Sequence, residues 1–503
     1  MDFQSLKELK ERLAEVFDVV HAVGVLEWDQ QTYMPPEGGE ARAEQIATLS
    51  KIAHEKFTSP EVGKLIQELE PYFQNQSPES DDAALFRRVK RHYERETRIS
   101  ADLVARISRT TSLGRDKWVQ ARKESNFAIF VPYLRQIVDL MIEKAEALGY
   151  KESIYDALVE DFEPGMKTTR IKKIFAELRE GLVPIARSIR ESGVQIRKDF
   201  LSKDYDIDKQ FQLTLEMLEK IGYDFQRGRQ DKTAHPFTTS FSVKDVRVTN
   251  RFKKDLFTSS IFSALHEGGH ALYDQGISEN YDRTALMGGA SHGVHESQSR
   301  TWENIVGRSL QFWKYWFPKV KEIFSRELED VTLEEFYRAL NYVEPSPIRV
   351  EADEVTYNLH TLLRFELELD LLEKRIKVED LPSLWNAKMK EYVGYEPQND
   401  AEGVLQDVHW SEGLFGYFPS YTIGNILSVQ FFRKALEEIP DLYDQFARGE
   451  FAPLREWMRT RIHVHGAKFF PEELTMKVAG EPINPRPFLD YLKQKYSEIY
   501  GKL

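Results

Sequence analysis

Residues 261–276 read IFSALHEGGHALYDQG and contain the pattern His-Glu-x-x-His. Apolar residues recur through this stretch at helical spacing, Ser259 or Ser260 offers an N-cap, and Gly276 offers a stop. On such a helix His266 and His270, four residues apart, project from one face and can share a metal ion. Glu267 lies about 100° round the helix, so it can reach a water at the metal without taking a coordination position. Gly268 and Gly269 each cost a helix about 1 kcal/mol relative to alanine. Their presence implies close approach by another backbone or by substrate. The chain has only 12 histidines in 503 residues, and the usual meaning of this pattern on a helix is zinc.

A catalytic zinc takes three protein ligands and leaves a position for water. The continuation His-x-x-Gly-x-x-His does not occur, because Tyr273 and Gly276 stand at its last two positions. The third ligand must then come from another element. Glu296, in GGASHGVHESQSRTWEN (288–304), begins a second helical pattern that can fold back beside the first. His292 and His295 compete with it by ligand chemistry, and Glu303 by helix position. Asp274, four residues beyond His270, can orient that imidazole as an acceptor.

Composition narrows the setting. The chain has no cysteine, so there is no thiol nucleophile and no thiolate ligand. A net charge of −13 argues against a general nucleic-acid binder. With 41% hydrophobic and 12% aromatic residues, the chain can bury a large core. The start, MDFQSLKELKERLAEVF, is amphipathic with no apolar signal region, and no stretch is apolar enough for a membrane span. A cytoplasmic protein without membrane or nucleic-acid partners is expected.

Helical periodicity dominates, from a Ser5-x-x-Glu8 capping box onward and through 83–150, 167–197, 205–222, 301–328, 355–376 and 426–447. The basic run RRVKRHYERETR (87–98) has the mixed acids and spacing of a solvated helix face. Residues 74–82 read as a loop. Residues 237–249, FTTSFSVKDVRVT, alternate as a short hairpin. The expected architecture is mainly α: one catalytic unit over 1–503, with two helical lobes around a cleft.

Six stretches stand in a familiar order: HPF (235–237), DVRVT (245–249), HEGGH (266–270), HESQ (295–298), IRVEAD (348–353) and GVLQDVHW (403–410). Together with LEWDQQTYMPPEGGEAR (26–42) and YDALVEDFEPGMK (155–167) they resemble the M32 family of metallocarboxypeptidases. The resemblance implies a two-lobed helical fold similar to neurolysin and angiotensin-converting enzyme, with a deep groove and a small β-sheet. It implies a homodimer that releases single residues from peptide C-termini with broad specificity. It also selects Glu296 as third ligand to one Zn2+ per chain, which Co2+ can replace.

The chemistry that follows is hydrolysis with Glu267 as general base. Tyr421 is the candidate oxyanion donor, with Tyr417 its rival. Arg349 is the candidate clamp for the substrate carboxylate, with Arg247 the alternative. His409 and Gln406 are expected to contact the substrate backbone or the oxyanion. His235 is either a groove residue or a structural histidine. Trp410 is expected to pack, and Asp245 and Asp353 to orient neighbours. A peptidyl-dipeptidase or oligoendopeptidase with the same zinc centre is the alternative activity, and a helical scaffold without catalytic metal is the alternative of another class.

Overall fold

The computed structural model describes residues 3–77 and 79–503, and it is mainly helical. Buried apolar side chains from Leu9 and Leu13 through to Ile499 and Tyr500 form one connected cluster. Seven helices position the candidate site and are labelled here in chain order: α1 (Phe3–Thr32), α2 (Asp81–Arg98), α3 (Ile207–Ile221), α4 (Phe257–Gly276), α5 (His292–Arg300), α6 (Tyr357–Leu372) and α7 (Phe418–Glu438).

Local chemistry sets their ends. The Ser80 side chain accepts from Ala83 N at the start of α2, and Asp81 and Asp82 occupy its first turn, where acids suit the helix dipole. Asp206 caps α3, which ends at Gly222 with φ 103°. Ser291 caps α5 by accepting from Val294 N.

Two expected caps fall differently in the structure. Ser5, expected to cap the first helix, lies within α1, and its hydroxyl donates to Glu68. The helix bearing His266 starts at Phe257, two residues before Ser259. Ser260 instead donates to Phe257 O and Gln210 Oε1, and Gly276 is the last helical residue rather than the stop beyond it. An apolar pocket took precedence over the side-chain caps: Phe257 is fully buried, 4.0 Å from the Tyr205 ring centroid.

The 237–249 hairpin is present as β2 (Thr238–Ser242) against β3 (Asp245–Asn250), antiparallel, with an irregularity between Ser240 and Ser242. A further strand, β1 (Gln230–Lys232), runs parallel to β3, giving the order β1-β3-β2. Nothing in Gln-Asp-Lys announces a strand, since it has no apolar alternation. Strand β2 is therefore an edge strand. Among the described residues no helix is long and apolar enough to cross a membrane. The loop read over 74–82 includes Pro78, which lies outside the described residues.

Candidate metal centre

Helices α4 and α5 lie against each other, and the paired glycines explain how. A Cβ on Gly269 would come within 2.6 Å of Gln298 O and of Ser299 Cα, so α5 can approach only over a bare backbone. A Cβ on Gly268 would meet Leu218 of α3 at 2.6 Å. The nearest neighbours of both glycines belong to helices and not to the hairpin.

This approach places Glu296 opposite both histidines. Its Oε2 lies 3.6 Å from His266 Nε2 and 3.4 Å from His270 Nε2. One ligand atom from each of the three residues lies within 4.8 Å of the others. The outer nitrogens are already engaged: His266 Nδ1 is 2.8 Å from Glu303 Oε2, and His270 Nδ1 is 2.6 Å from His295 Nδ1. Both Nε2 atoms thus face the carboxylate, and a donor set of two imidazoles and one carboxylate fits a divalent cation.

The rivals for the third position take other roles. Glu303 backs His266, while His295 backs His270 and is itself held by Asp274 at 3.0 Å. Asp274 therefore acts on His270 through His295 and not directly, because the His295 ring lies between them. His292 is exposed at the start of α5.

Arg300 ties the carboxylates together, donating to Glu296 at 2.7 Å and to Glu303 at 3.0 Å. Burial alone would raise both acids. The Arg300 guanidinium and the facing imidazoles outweigh it, holding Glu296 well below the usual carboxylate range and Glu303 at about 2. Burial would lower His266, but Glu296 and Glu303 push it up to about 9. The pocket is thus negatively biased around two imidazoles, as a cation site requires.

Glu267 lies beside this set without joining it, and the Thr238 hydroxyl at the start of β2 donates to its Oε2 at 2.7 Å. Burial raises the Glu267 pKa, and His266 and Thr238 offset this only in part. A raised carboxyl pKa brings the group nearer to proton exchange at neutral pH.

On α7, Tyr421 lies 3.2 Å by its hydroxyl from His409 Nε2, and the Tyr417 ring packs 5.1 Å from Tyr421. Both phenols sense the charge of Glu296. Burial, and to a lesser degree Arg349 and Arg364, lower the His409 pKa to about 3 in spite of Asp407. Its ring is therefore neutral, and its Nδ1 has no partner among the described residues.

Arg349 is buried, its guanidinium 4.7 Å from the Tyr421 ring centroid. It donates to Asp407 through Nε at 3.2 Å and Nη2 at 2.9 Å, and to Tyr357 through Nη1 at 2.8 Å. Asp407 also accepts from Arg364 at 2.6 Å.

The remaining candidates make contacts of their own within the fold. Gln406 spends its amide on backbone, donating to Pro347 O and Glu402 O and accepting from Arg349 N. It positions the Arg349 turn. Arg247 pairs with Asp245 at 2.8 Å and lies over Trp28 of α1 at 4.3 Å, joining α1 to the sheet. His235 is exposed in the link between β1 and β2. Trp410 is buried and donates to Glu368 at 2.9 Å, and Asp353 accepts from Val355 N and Thr356 N.

Thr238, Arg300, Tyr357 and Asp407 were not singled out from the sequence. Arg300 had a signal, standing four residues after Glu296 and three before Glu303 on one helix face. Thr238 and Tyr357 reach the site only through tertiary folding.

A family model described as Carboxypeptidase Taq (M32) metallopeptidase matches residues 8–496. The chain belongs to the M32 family. Thermostable carboxypeptidase 1 of Thermus thermophilus is 45% identical over 484 residues, 94% of each chain, and carboxypeptidase 1 of Bacillus subtilis is 40% identical over 98% of each. The crystal structure of the M32 carboxypeptidase from Deinococcus radiodurans superposes with a TM-score of 0.96 at 39% identity, covering 99% of this chain and 100% of that one. Pyrococcus furiosus carboxypeptidase gives 0.95 at 37% identity and 99% coverage of both. This M32 chain is thus a metallocarboxypeptidase with the mainly helical M32 fold.

Proposed function

We propose that the protein is a zinc carboxypeptidase that removes single residues from the free C-termini of peptides, with broad specificity. One observation carries the reading: two Nε2 atoms and the Glu296 carboxylate converge, while Glu267 stands beside them, held by Thr238 on an edge strand. His266, His270 and Glu296 would hold the metal. When bound, zinc would polarise the scissile carbonyl and acidify water at the site.

The chain's own groups supply the rest. An extended peptide can add its backbone to the free edge of β2, which carries the bond to be cut past Thr238 and Glu267. Glu267 takes a proton from the attacking water and passes it to the leaving amine. Tyr421, backed by His409, donates to the developing oxyanion, and Tyr417 stands beside it. Arg349 receives the C-terminal carboxylate, with Asp407 and Tyr357 fixing its guanidinium. A cytoplasmic homodimer, with cobalt able to replace zinc, belongs to the same reading.

A second reading, a peptidyl-dipeptidase or oligoendopeptidase with the same centre, is favoured by one fact. Asp407 already neutralises Arg349. N-blocked dipeptides separate the two. Release of one free amino acid supports the carboxypeptidase, whereas cleavage inside peptides blocked at both ends would sink it.

A further inference from the structure

The basic run on α2 does not face solvent along its whole length. A cavity of about 430 Å3 lies between α2 and the start of α5, walled by Arg88, Arg91 and Arg95 on one side and by Phe162, His292 and His295 on the other. Two of its three acids are already ion-paired. Glu160 meets Arg91 and accepts from Gly165 N, Asp161 meets Arg95 and Lys144, and Glu96 is 3.7 Å from His54. The Arg88 guanidinium alone has no hydrogen bond and no ion pair among the described residues. Arg88 is half-buried, and a partly desolvated cation without a counter-ion gains from an arriving carboxylate. Burial lowers the Arg88 pKa to about 10, still far above neutrality.

The cavity is one residue away from the metal centre, with His295 between them. His295 lines it and touches His270. Tyr417 stands between it and Arg349: the Tyr417 ring lies 5.1 Å from Phe162 and 5.5 Å from His292 on the cavity side, and 5.1 Å from Tyr421, which Arg349 overlies, on the other. A peptide whose C-terminal carboxylate meets Arg349 would send residues from the other side of the scissile bond toward Arg88.

We propose that this cavity is a specificity subsite for an acidic residue N-terminal to the scissile bond, with Arg88 receiving its side-chain carboxylate. The assignment rests on the carboxypeptidase reading. Its test uses N-blocked peptides that differ only by Glu or Gln on the N-terminal side of the cleaved bond. The ratio of their kcat/KM values is compared in wild type, Arg88→Gln and Arg88→Glu. A ratio is insensitive to the fraction of folded enzyme.

Wild type should favour the Glu peptide roughly tenfold, Arg88→Gln should bring the ratio to about one, and Arg88→Glu should invert it. A wild-type ratio near one, or a preference that survives in Arg88→Gln, would overturn the subsite. Inorganic phosphate provides a second arm. If the wild-type ratio is near one while millimolar phosphate alters hydrolysis of the Gln peptide in wild type and not in Arg88→Gln, the site holds a free anion and the peptide assignment is wrong. If neither peptide releases an amino acid from any variant, it is the carboxypeptidase reading that has failed.

Discussion

Gly424 on α7 lies so close to Glu296 on α5 that a Cβ at position 424 would come within 2.6 Å of the Glu296 Cβ. The absent side chain gives the third candidate ligand its place beside His266 and His270. Gly424→Ala should therefore displace Glu296 and weaken metal retention roughly 10–100-fold, the range seen when a ligand's support is removed. Competition against a chelator measures this, and an unchanged affinity would show that Glu296 does not depend on the gap.

Gly269 bears on stability rather than on the metal. Alanine there must push Gln298 and Ser299 away, because both contacts are backbone atoms. Gly269→Ala should cost about 1–3 kcal/mol, as overpacking does, despite its better helix propensity. Denaturant unfolding reports it, and a stabilised variant would contradict the close approach of α5.

Much of this was legible beforehand and some could not be. His266, Glu267 and His270 declare themselves because ligand and base sit within one helical turn. The β2–β3 hairpin is written in local alternation. Glu296 was one of several candidates by spacing, and only the crossing of α4 and α5 separates it from His295 and Glu303, which orient the two histidines. The reach of Arg349 to Asp407 spans distant segments, and the roles of Gln406 and Thr238 depend on contacts that no local pattern encodes. The basic run of α2 had the periodicity of a surface helix, and periodicity does not reveal that part of that face meets a cavity.

Asp407 accepts from both Arg349 and Arg364, and all three side chains are largely buried. Asp407→Asn removes the one carboxylate that pairs with these two guanidiniums among the described residues and should destabilise the fold by about 3–5 kcal/mol. It should also alter the KM for substrates with a free C-terminal carboxylate more than it alters kcat. Unchanged stability and KM would show that the pair neither supports the fold nor positions Arg349.

Glu163 is fully buried beneath Ser420 and Gly293, and burial raises its pKa from 4.5 to about 7 in spite of the hydrogen bonds it accepts. A raised carboxyl pKa means that the folded protein holds the proton more tightly than the unfolded chain. The stability gained is full below pH 4.5 and is lost as pH rises through about 7. Unfolding free energies of wild type and Glu163→Gln should therefore diverge, wild type losing about 3 kcal/mol relative to the variant between about pH 5 and 8. A wild type that gains on the variant as pH rises would refute the sign.

The central claim is that His266, His270 and Glu296 hold a metal while Glu267 moves the proton without binding it. Metal content and peptide hydrolysis, measured together on Glu267→Gln, test this most directly. The account predicts near-stoichiometric zinc, as in wild type, with hydrolysis reduced by a factor of about 100–10,000, the scale of general acid–base catalysis. A variant that keeps its hydrolysis, or one that loses its metal along with it, would contradict the account.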